Sequence, residues 1–182
     1  MKVQLANYNN SWYQIGAPSW KRLLWHFVSA FFFENSFFPV VAPKVFILRC
    51  FGAKVGKGVM LKPRLHIKYP WHVTIGEYAW IGEGVWIDSL TTVSIGANAC
   101  ISQGVYLLTG NHHYKSPVFE LMVKPIVLEE GVWIGAQSVV CPGVTCKSHA
   151  MLVVGSVASA NLDAYGIYRG NPAVWVKQRV IQ

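Results

Sequence analysis

At 182 residues, with 53% hydrophobic and only 13% charged side chains, the chain is too apolar for disorder and long enough for one domain with a sizeable core. Its formal net charge of +8 favours an anionic partner, such as a phosphate-bearing small molecule or an anionic membrane surface. Nucleic acid is not expected, because there is no run of five like charges and no helix-turn-helix or zinc-finger spacing.

Residues 1–19 are turn-rich (Asn7, Asn9, Asn10, Ser11, Gly16, Pro18) and aperiodic, which predicts an extended arm. From Trp20 to Phe33, the apolar residues Leu24, Phe27, Val28, Phe31 and Phe32 keep helical spacing, so a helix is expected to end near Glu34-Asn35-Ser36. A second apolar run, Phe37 to Leu48, contains Pro39 and Pro43. Its later part, up to Phe51, reads as a short second helix before the turn at Gly52-Ala53. Neither run reaches the roughly 18–20 uninterrupted apolar residues that a membrane span needs, because Glu34 and Asn35 stop the count. The aromatic helix has two readings. One is a cover for the end of the scaffold or a subunit contact. The other is an interfacial helix, residues 20–33, resting on a membrane with Lys21 and Arg22 beside Trp20 and Trp25.

Branched apolar residues then recur in sixes: Val55, Leu61, Ile67; Ile75, Ile81, Ile87; Ile95, Ile101, Leu107. The joining steps are eight residues, so the period is 20. After an interruption the count resumes without a slip at Leu128, Ile134, Val140, Cys146, Leu152 and Ala158, with a period of 18. Small or β-branched residues stand two places before many of these positions (Val73, Ala79, Val85, Ala99, Val132, Ser138). One buried branched residue and one tight corner per six residues wrap a chain into a triangular prism of short parallel strands, an all-β solenoid. A helix is excluded, since a step of six drifts around it and the β-branched and glycine content opposes it. Gly or Asn is expected at the corners, where φ is positive. The two-residue excess predicts a ridge of Tyr69-Pro70 stacked on Ser89-Leu90. The chain divides into an arm and aromatic-rich helix (1–52), the repeat (53–160) with a loop at 109–124, and a C-terminal tail (161–182). Cys50, Cys100, Cys141 and Cys146 show no CxxC spacing and no signal peptide precedes them, which reads as reduced thiols in a cytoplasmic protein. Cys146, on an inward position, reads as small apolar filling.

The repeat, with Phe51-Gly52-Ala53-Lys54-Val55-Gly56, Ile101-Ser102-Gln103, Thr109-Gly110-Asn111-His112 and Arg169-Gly170-Asn171-Pro172-Ala173-Val174, resembles the hexapeptide-repeat acyltransferases. Within them it is similar to the colanic acid biosynthesis acetyltransferase branch. The resemblance covers residues 50–180 and implies a left-handed parallel β-helix, a homotrimer, acetyl-CoA as donor and no metal. It also implies an acceptor hydroxyl on a sugar of a surface or exopolysaccharide intermediate. Its Thr-Gly-x-His segment assigns the general base to His112. Imidazole suits that task because its pKa lies near neutrality. A backbone N–H would meet the tetrahedral oxyanion, and thiolate would leave with no covalent enzyme intermediate. Many relatives carry Asp after this His, where this chain has His113. The orienting partner must therefore come from elsewhere, for example a backbone carbonyl.

His113 reads as an acceptor-contact residue. Asp88, on the coil beneath His112, reads either as an acceptor-hydroxyl ligand or as a solvated corner. Glu120 reads as a surface residue of the loop. The resemblance further implies that Ala136, Val154 and Ser159 line the pantetheine groove between subunits. Ala160 stands where relatives often have Lys, so Arg169, Lys177 and Arg179 are left to meet the nucleotide phosphates. Two alternatives are a γ-class carbonic-anhydrase-like zinc protein, drawing on His66, His72, His112, His113 and His149, and a non-catalytic scaffold at the membrane surface. Against zinc, the second-ligand spacing of that class falls on Pro117.

Overall fold

The computed structural model describes residues 2–182. Every six-step position from Val55 to Ala158 is buried, at 8% exposure or less, and lies in a short strand. The strands form three parallel faces. Face I holds Lys54–Val55, Val73–Ile75, Val93–Ile95, Ile126–Leu128 and Thr145–Cys146; face II runs from Met60–Leu61 to Met151–Leu152; face III runs from His66–Ile67 to Val157–Ala158. Together they form a left-handed parallel β-helix. Register is strict: Val55, Ile75, Ile95, Leu128 and Cys146 stack above one another. Each coil thereby completes the backbone hydrogen bonds of the one before it and adds one layer to a continuous core.

The corners explain the glycines. A Cβ on Gly76 would lie 2.4 Å from the Ala97 amide nitrogen of the next coil, so only glycine permits that approach. The expectation of Gly or Asn at positive φ was too narrow. Arg64, Tyr78, Gln137, His149 and Tyr165 also adopt φ of 55–58°. At Tyr78, Asn98, His149 and Tyr165 this conformation aims the N–H at the carbonyl of Lys57, Glu77, Glu130 or Ser148 in the coil below, which offsets the strain of a side chain in the left-handed region.

The N-terminal end of the prism is closed by α1 (Ser19–Phe32) and α2 (Val41–Cys50). Trp25 donates its indole N–H to the Ile67 carbonyl at 2.8 Å, and the Leu65 amide donates to the Phe33 carbonyl at 2.9 Å. Trp25, Phe33 and Leu48 join the core of the first coil. α1 stops at Phe32 rather than near Ser36, where the Asn35 side chain satisfies the Ala30 and Phe31 carbonyls. The apolar residues that the spacing picked out divide between two faces of the helix. Trp25 and Ser29 are buried, with Val28 and Phe32 packed beside them, while Leu24, Phe27 and Phe31 are exposed. Lys44 of α2 is fully buried with its Nζ 5.9 Å from the centre of the Phe33 ring, and burial pushes its ammonium pKa down.

The predicted ridge exists, and it seats the arm. Ser89 Oγ bonds both the amide and the carbonyl of Tyr69 at 3.0 Å. Ile15 O accepts the Trp71 indole N–H at 2.8 Å and lies 3.0 Å from His72 Nε2, and the Tyr13 hydroxyl donates to Leu90 O at 2.5 Å. Beyond residue 160, Leu162 bridges Cys146, Gly166–Gly170 extends face II, and Ala173–Gln178 folds back antiparallel on it.

Candidate active site

The site begins at the corner between faces III and I, where the third coil gives way to a hairpin. Gly110–His112 pairs antiparallel with Leu121–Val123, and residues 113–120 form its tip. Thr109 is its root and is fully buried. Its hydroxyl donates to Asp88 O and accepts from the Leu90 amide at 3.0 Å and the Thr91 amide at 3.4 Å. One side chain thus pins the hairpin to the coil beneath. Thr109→Val keeps the shape but removes all three bonds and leaves the Thr91 amide without a partner, while Leu90 N–H and Asp88 O still meet at 3.0 Å, so unfolding in urea is expected to show a loss of about 1–3 kcal/mol.

His112 is positioned from three sides. Its Nδ1 lies 2.8 Å from the Phe119 carbonyl, its amide donates to Asn111 Oδ1 at 2.8 Å, and its ring stacks on the Phe119 ring at 4.5 Å and 6°. A carbonyl has no proton to give, so the neutral imidazole carries its hydrogen on Nδ1 and leaves Nε2 as the free base. Phe119 adopts φ of 54°, a strained conformation for a non-glycine residue at the point where its carbonyl is needed. The group that meets His112 Nδ1 is thus main chain and not a carboxylate. The ring of Tyr8, from the arm, lies 5.9 Å from the His112 ring, and the Gln4 amide donates to Pro117 O at 2.7 Å. The arm crosses from the ridge to the hairpin tip and walls the site.

Asp88 is buried rather than a solvated corner. Its Oδ1 pairs with Lys68 Nζ at 3.1 Å, and its Oδ2 lies 3.5 Å from where a Cβ on Gly110 would stand. The carboxylate therefore sits under the strand that carries His112. Burial above all, then Tyr69 and Asp88, pushes the Tyr13 hydroxyl up to about 12, so Tyr13 remains a donor to Leu90 at physiological pH. His113 is exposed and, with Asn111, His112, Tyr114, Lys115 and Met122, lines a cavity of ≈ 310 Å³. Glu120 serves the hairpin through its carbonyl, which accepts the His113 amide at 2.9 Å.

The expected donor residues fall into two columns. Ala136 and Val154 lie on successive coils at the corner between faces II and III, joined by the Gly155 amide to Ala136 O at 2.8 Å. Arg169 stands above them, beyond the Tyr168 carbonyl that accepts the Val153 amide. The column allows close approach: Val154 is exposed, and a Cβ on Gly155 would meet nothing within 4 Å. Ser159 belongs to the other edge of face III, the corner that bears the His112 hairpin. Five residues separate the columns in each coil, a span of about 16 Å. Ile167 pairs with Lys177 and Arg169 with Val174, so Arg169 and Lys177 share the outer side of the C-terminal strand pair, and both are exposed. Arg179 is engaged otherwise. Its Nη1 donates to Gly131 O at 2.9 Å and His149 O at 3.0 Å, tying the chain end to a corner.

No protein-family model matches the chain. A protein of Escherichia coli K12 named as the colanic acid biosynthesis acetyltransferase WcaF is 39% identical over 165 residues, which span 91% of each chain. The chain belongs to the hexapeptide-repeat acetyltransferase family. The galactoside O-acetyltransferase of Escherichia coli K12 is 28% identical to this acetyltransferase over 129 residues, 69% of this chain and 64% of the relative. Among solved structures, a hexapeptide-repeat acetyltransferase of Vibrio cholerae complexed with acetyl coenzyme A shares the fold at a TM-score of 0.79 and 21% identity, over 91% of this chain and 92% of that one.

The acetyltransferase scatters its other histidines. His66 stacks on Trp86, His72 meets Ile15 O, and His149 stacks on Tyr165. Among the described residues of one chain no three His, Cys, Asp or Glu side chains converge as a metal-ligand set, and the acetyltransferase relatives disfavour the zinc alternative. Three site residues escaped the sequence reading as parts of the site: Thr109 as a pin, Phe119 and Tyr8. Only Thr109 had a signal, its place in the Thr-Gly-x-His segment.

Proposed function

We propose that this acetyltransferase moves the acetyl group of acetyl-CoA to a hydroxyl of a sugar in surface or exopolysaccharide biosynthesis, with His112 as general base. The hydrogen bond between His112 Nδ1 and the Phe119 carbonyl carries the reading, because it leaves Nε2 as the proton acceptor. Acetyl-CoA supplies an activated thioester carbonyl. His112 Nε2 takes the proton of the hydroxyl as its oxygen bonds to the thioester carbonyl carbon, the tetrahedral oxyanion collapses with cleavage of the C–S bond, and the proton is passed to the departing sulfur. As the ring becomes cationic, the Phe119 carbonyl and the face of the Phe119 ring stabilise it. Asp88 and His113 bind the acceptor. Ala136, Val154 and Ser159 line the pantetheine groove, and Arg169 and Lys177 meet the phosphates.

In one chain, Ala136 and Val154 lie on the far edge of face III from His112. This supports a homotrimer in which the groove column of one subunit meets the hairpin corner of its neighbour. The donor is a cytoplasmic metabolite, so the proposed location is the cytoplasm, at the inner face of the membrane.

The test is release of free thiol from acetyl-CoA by the purified protein, with a panel of free sugars, aryl glycosides and extracted lipid-linked glycans. Thiol release that depends on the sugar is expected. Tyr8→Ala is expected to raise the acceptor KM about threefold to tenfold, the worth of one ring contact, with the acetyl-CoA KM unchanged. Release that no member of the panel accelerates would remove the reading.

A further inference from the structure

The two-helix cap that closes the prism has its apolar side facing out. On α1, Trp20, Leu23, Leu24, Phe27 and Phe31 follow one another at i, i+3, i+4, i+7 and i+11, which makes them one continuous stripe, and they are exposed by 67, 60, 48, 63 and 66%. Phe37 is 95% exposed, and Val40 and Phe46 also face outward. Phe38 of the same connecting segment packs on Phe32, whose ring meets Phe31, so the segment continues from the stripe. The inner side of α1 is the more polar one, carrying half-buried Lys21 and Arg22 and buried Ser29 besides Trp25. A helix bound for water would have these sides reversed. At about 200 Å² per ring, the five exposed aromatics alone leave on the order of 700 Å² of apolar surface, beyond the largest patch on an ordinary monomer.

Charge selects the occupant. Residues 1–57 hold seven Lys and Arg and one acidic residue, Glu34; Lys44 is buried, which leaves Lys2, Lys21, Arg22, Arg49, Lys54 and Lys57 at the surface of this third of the chain. Two copies meeting cap to cap would set these charges against each other, whereas an anionic lipid surface would attract them. Length selects the geometry. α1 has 14 residues, about 21 Å, short of the ~30 Å hydrocarbon core, and no helix among the described residues is long and apolar enough to cross a membrane.

We infer that the outward face of the cap is a membrane-docking surface, on which Trp20, Leu23, Leu24, Phe27, Phe31 and Phe37 lie in the interface of an anionic bilayer with the prism standing on it. The hairpin of His112 leaves the third coil, two spacings or about 10 Å above the first at ~4.8 Å per coil, with the thickness of the cap, about 10 Å, beneath it. In a consequence that rests on the acetyl-transfer reading, docking on the cap holds the hairpin on the side of the bilayer surface where a lipid-linked sugar stands. The docking itself does not depend on that reading.

The experiment is flotation of the full chain with vesicles of phosphatidylglycerol and phosphatidylethanolamine, and with vesicles of phosphatidylcholine alone. The protein is expected to float with the anionic vesicles, to be released by high salt, and to float poorly with phosphatidylcholine. Phe27→Ser with Phe31→Ser is expected to weaken binding about tenfold or more while sugar-dependent thiol release in vesicle-free buffer stays at the wild-type level. If that double variant does not fold, Trp20→Phe removes an outer reporter, and the wild-type minus variant emission then isolates Trp20. A blue shift of this difference with anionic vesicles supports docking. Its absence, or a wild-type protein that stays at the bottom of every gradient, overturns docking. So does a wild-type protein whose cap instead mediates an oligomer that the double variant dissolves. Failure of thiol release with flotation intact would count against the catalytic reading alone.

Discussion

His112→Ala is expected to lower kcat for acetyl transfer by about 10²–10⁴-fold, the range assigned to a positioned general base, with the KM values for acetyl-CoA and acceptor little changed. The size follows from what the hairpin invests in one ring. Phe119 is held at positive φ, its carbonyl fixes the tautomer and its ring fixes the plane. Removing the imidazole leaves all of that in place around a void, so the loss falls on the proton transfer and not on binding. His112→Asn should behave alike, since an amide fills part of the space without a basic nitrogen. His113→Ala, by contrast, is expected to retain kcat within about tenfold, because its side chain is exposed and has no orienting partner of this kind. Steady-state thiol release checks all three. A His112→Ala enzyme within about tenfold of wild type would mean that another group takes the proton.

The prism was legible in full because every coil repeats one demand, a branched residue inside and a close corner outside, and the chain answers it at Val55 through Ala158. The interruption was legible as a length and as a Thr-Gly-x-His segment. Its antiparallel pairing was not, since Gly110–His112 and Leu121–Val123 are too short for alternation to register. The orienting carbonyl of Phe119 left no trace at all, because any residue type has one and only the backbone angle aims it. Tyr8 was hidden for a related reason. The arm is placed by the indole N–H of Trp71, the hydroxyl of Tyr13 and backbone groups of the hairpin, contacts without a period. The facing of α1 was not legible, because Leu24, Phe27 and Phe31 share helical spacing with Val28 and Phe32, and spacing alone does not say that the last two turn to the core while the first three stay exposed.

Pairing two defective subunits is expected to restore activity that neither has alone. His112→Ala removes the base but keeps the column of Ala136 and Val154. Val154→Arg keeps the base but fills the open side of that column, where Val154 is 63% exposed, and is expected to bind acetyl-CoA about 10²-fold more weakly through steric exclusion and a misplaced charge. In one chain the two positions lie on opposite edges of face III, so each proposed site takes His112 from one subunit and Val154 from the next. Co-expression with two different tags, followed by purification on both, yields only mixed rings. A ring of three that contains both kinds of subunit has one junction in the order that unites an intact His112 with an intact Val154, whether the ratio is two to one or one to two. Mixed rings should therefore work at about one-third of the wild-type rate, against about one-hundredth or less for either parent at low acetyl-CoA. A site built within one subunit predicts no such recovery, since every subunit of the mixed ring then carries a defect. Light scattering of the same preparations would report the ring size, and a fully active monomer would end the trimer proposal along with the shared groove.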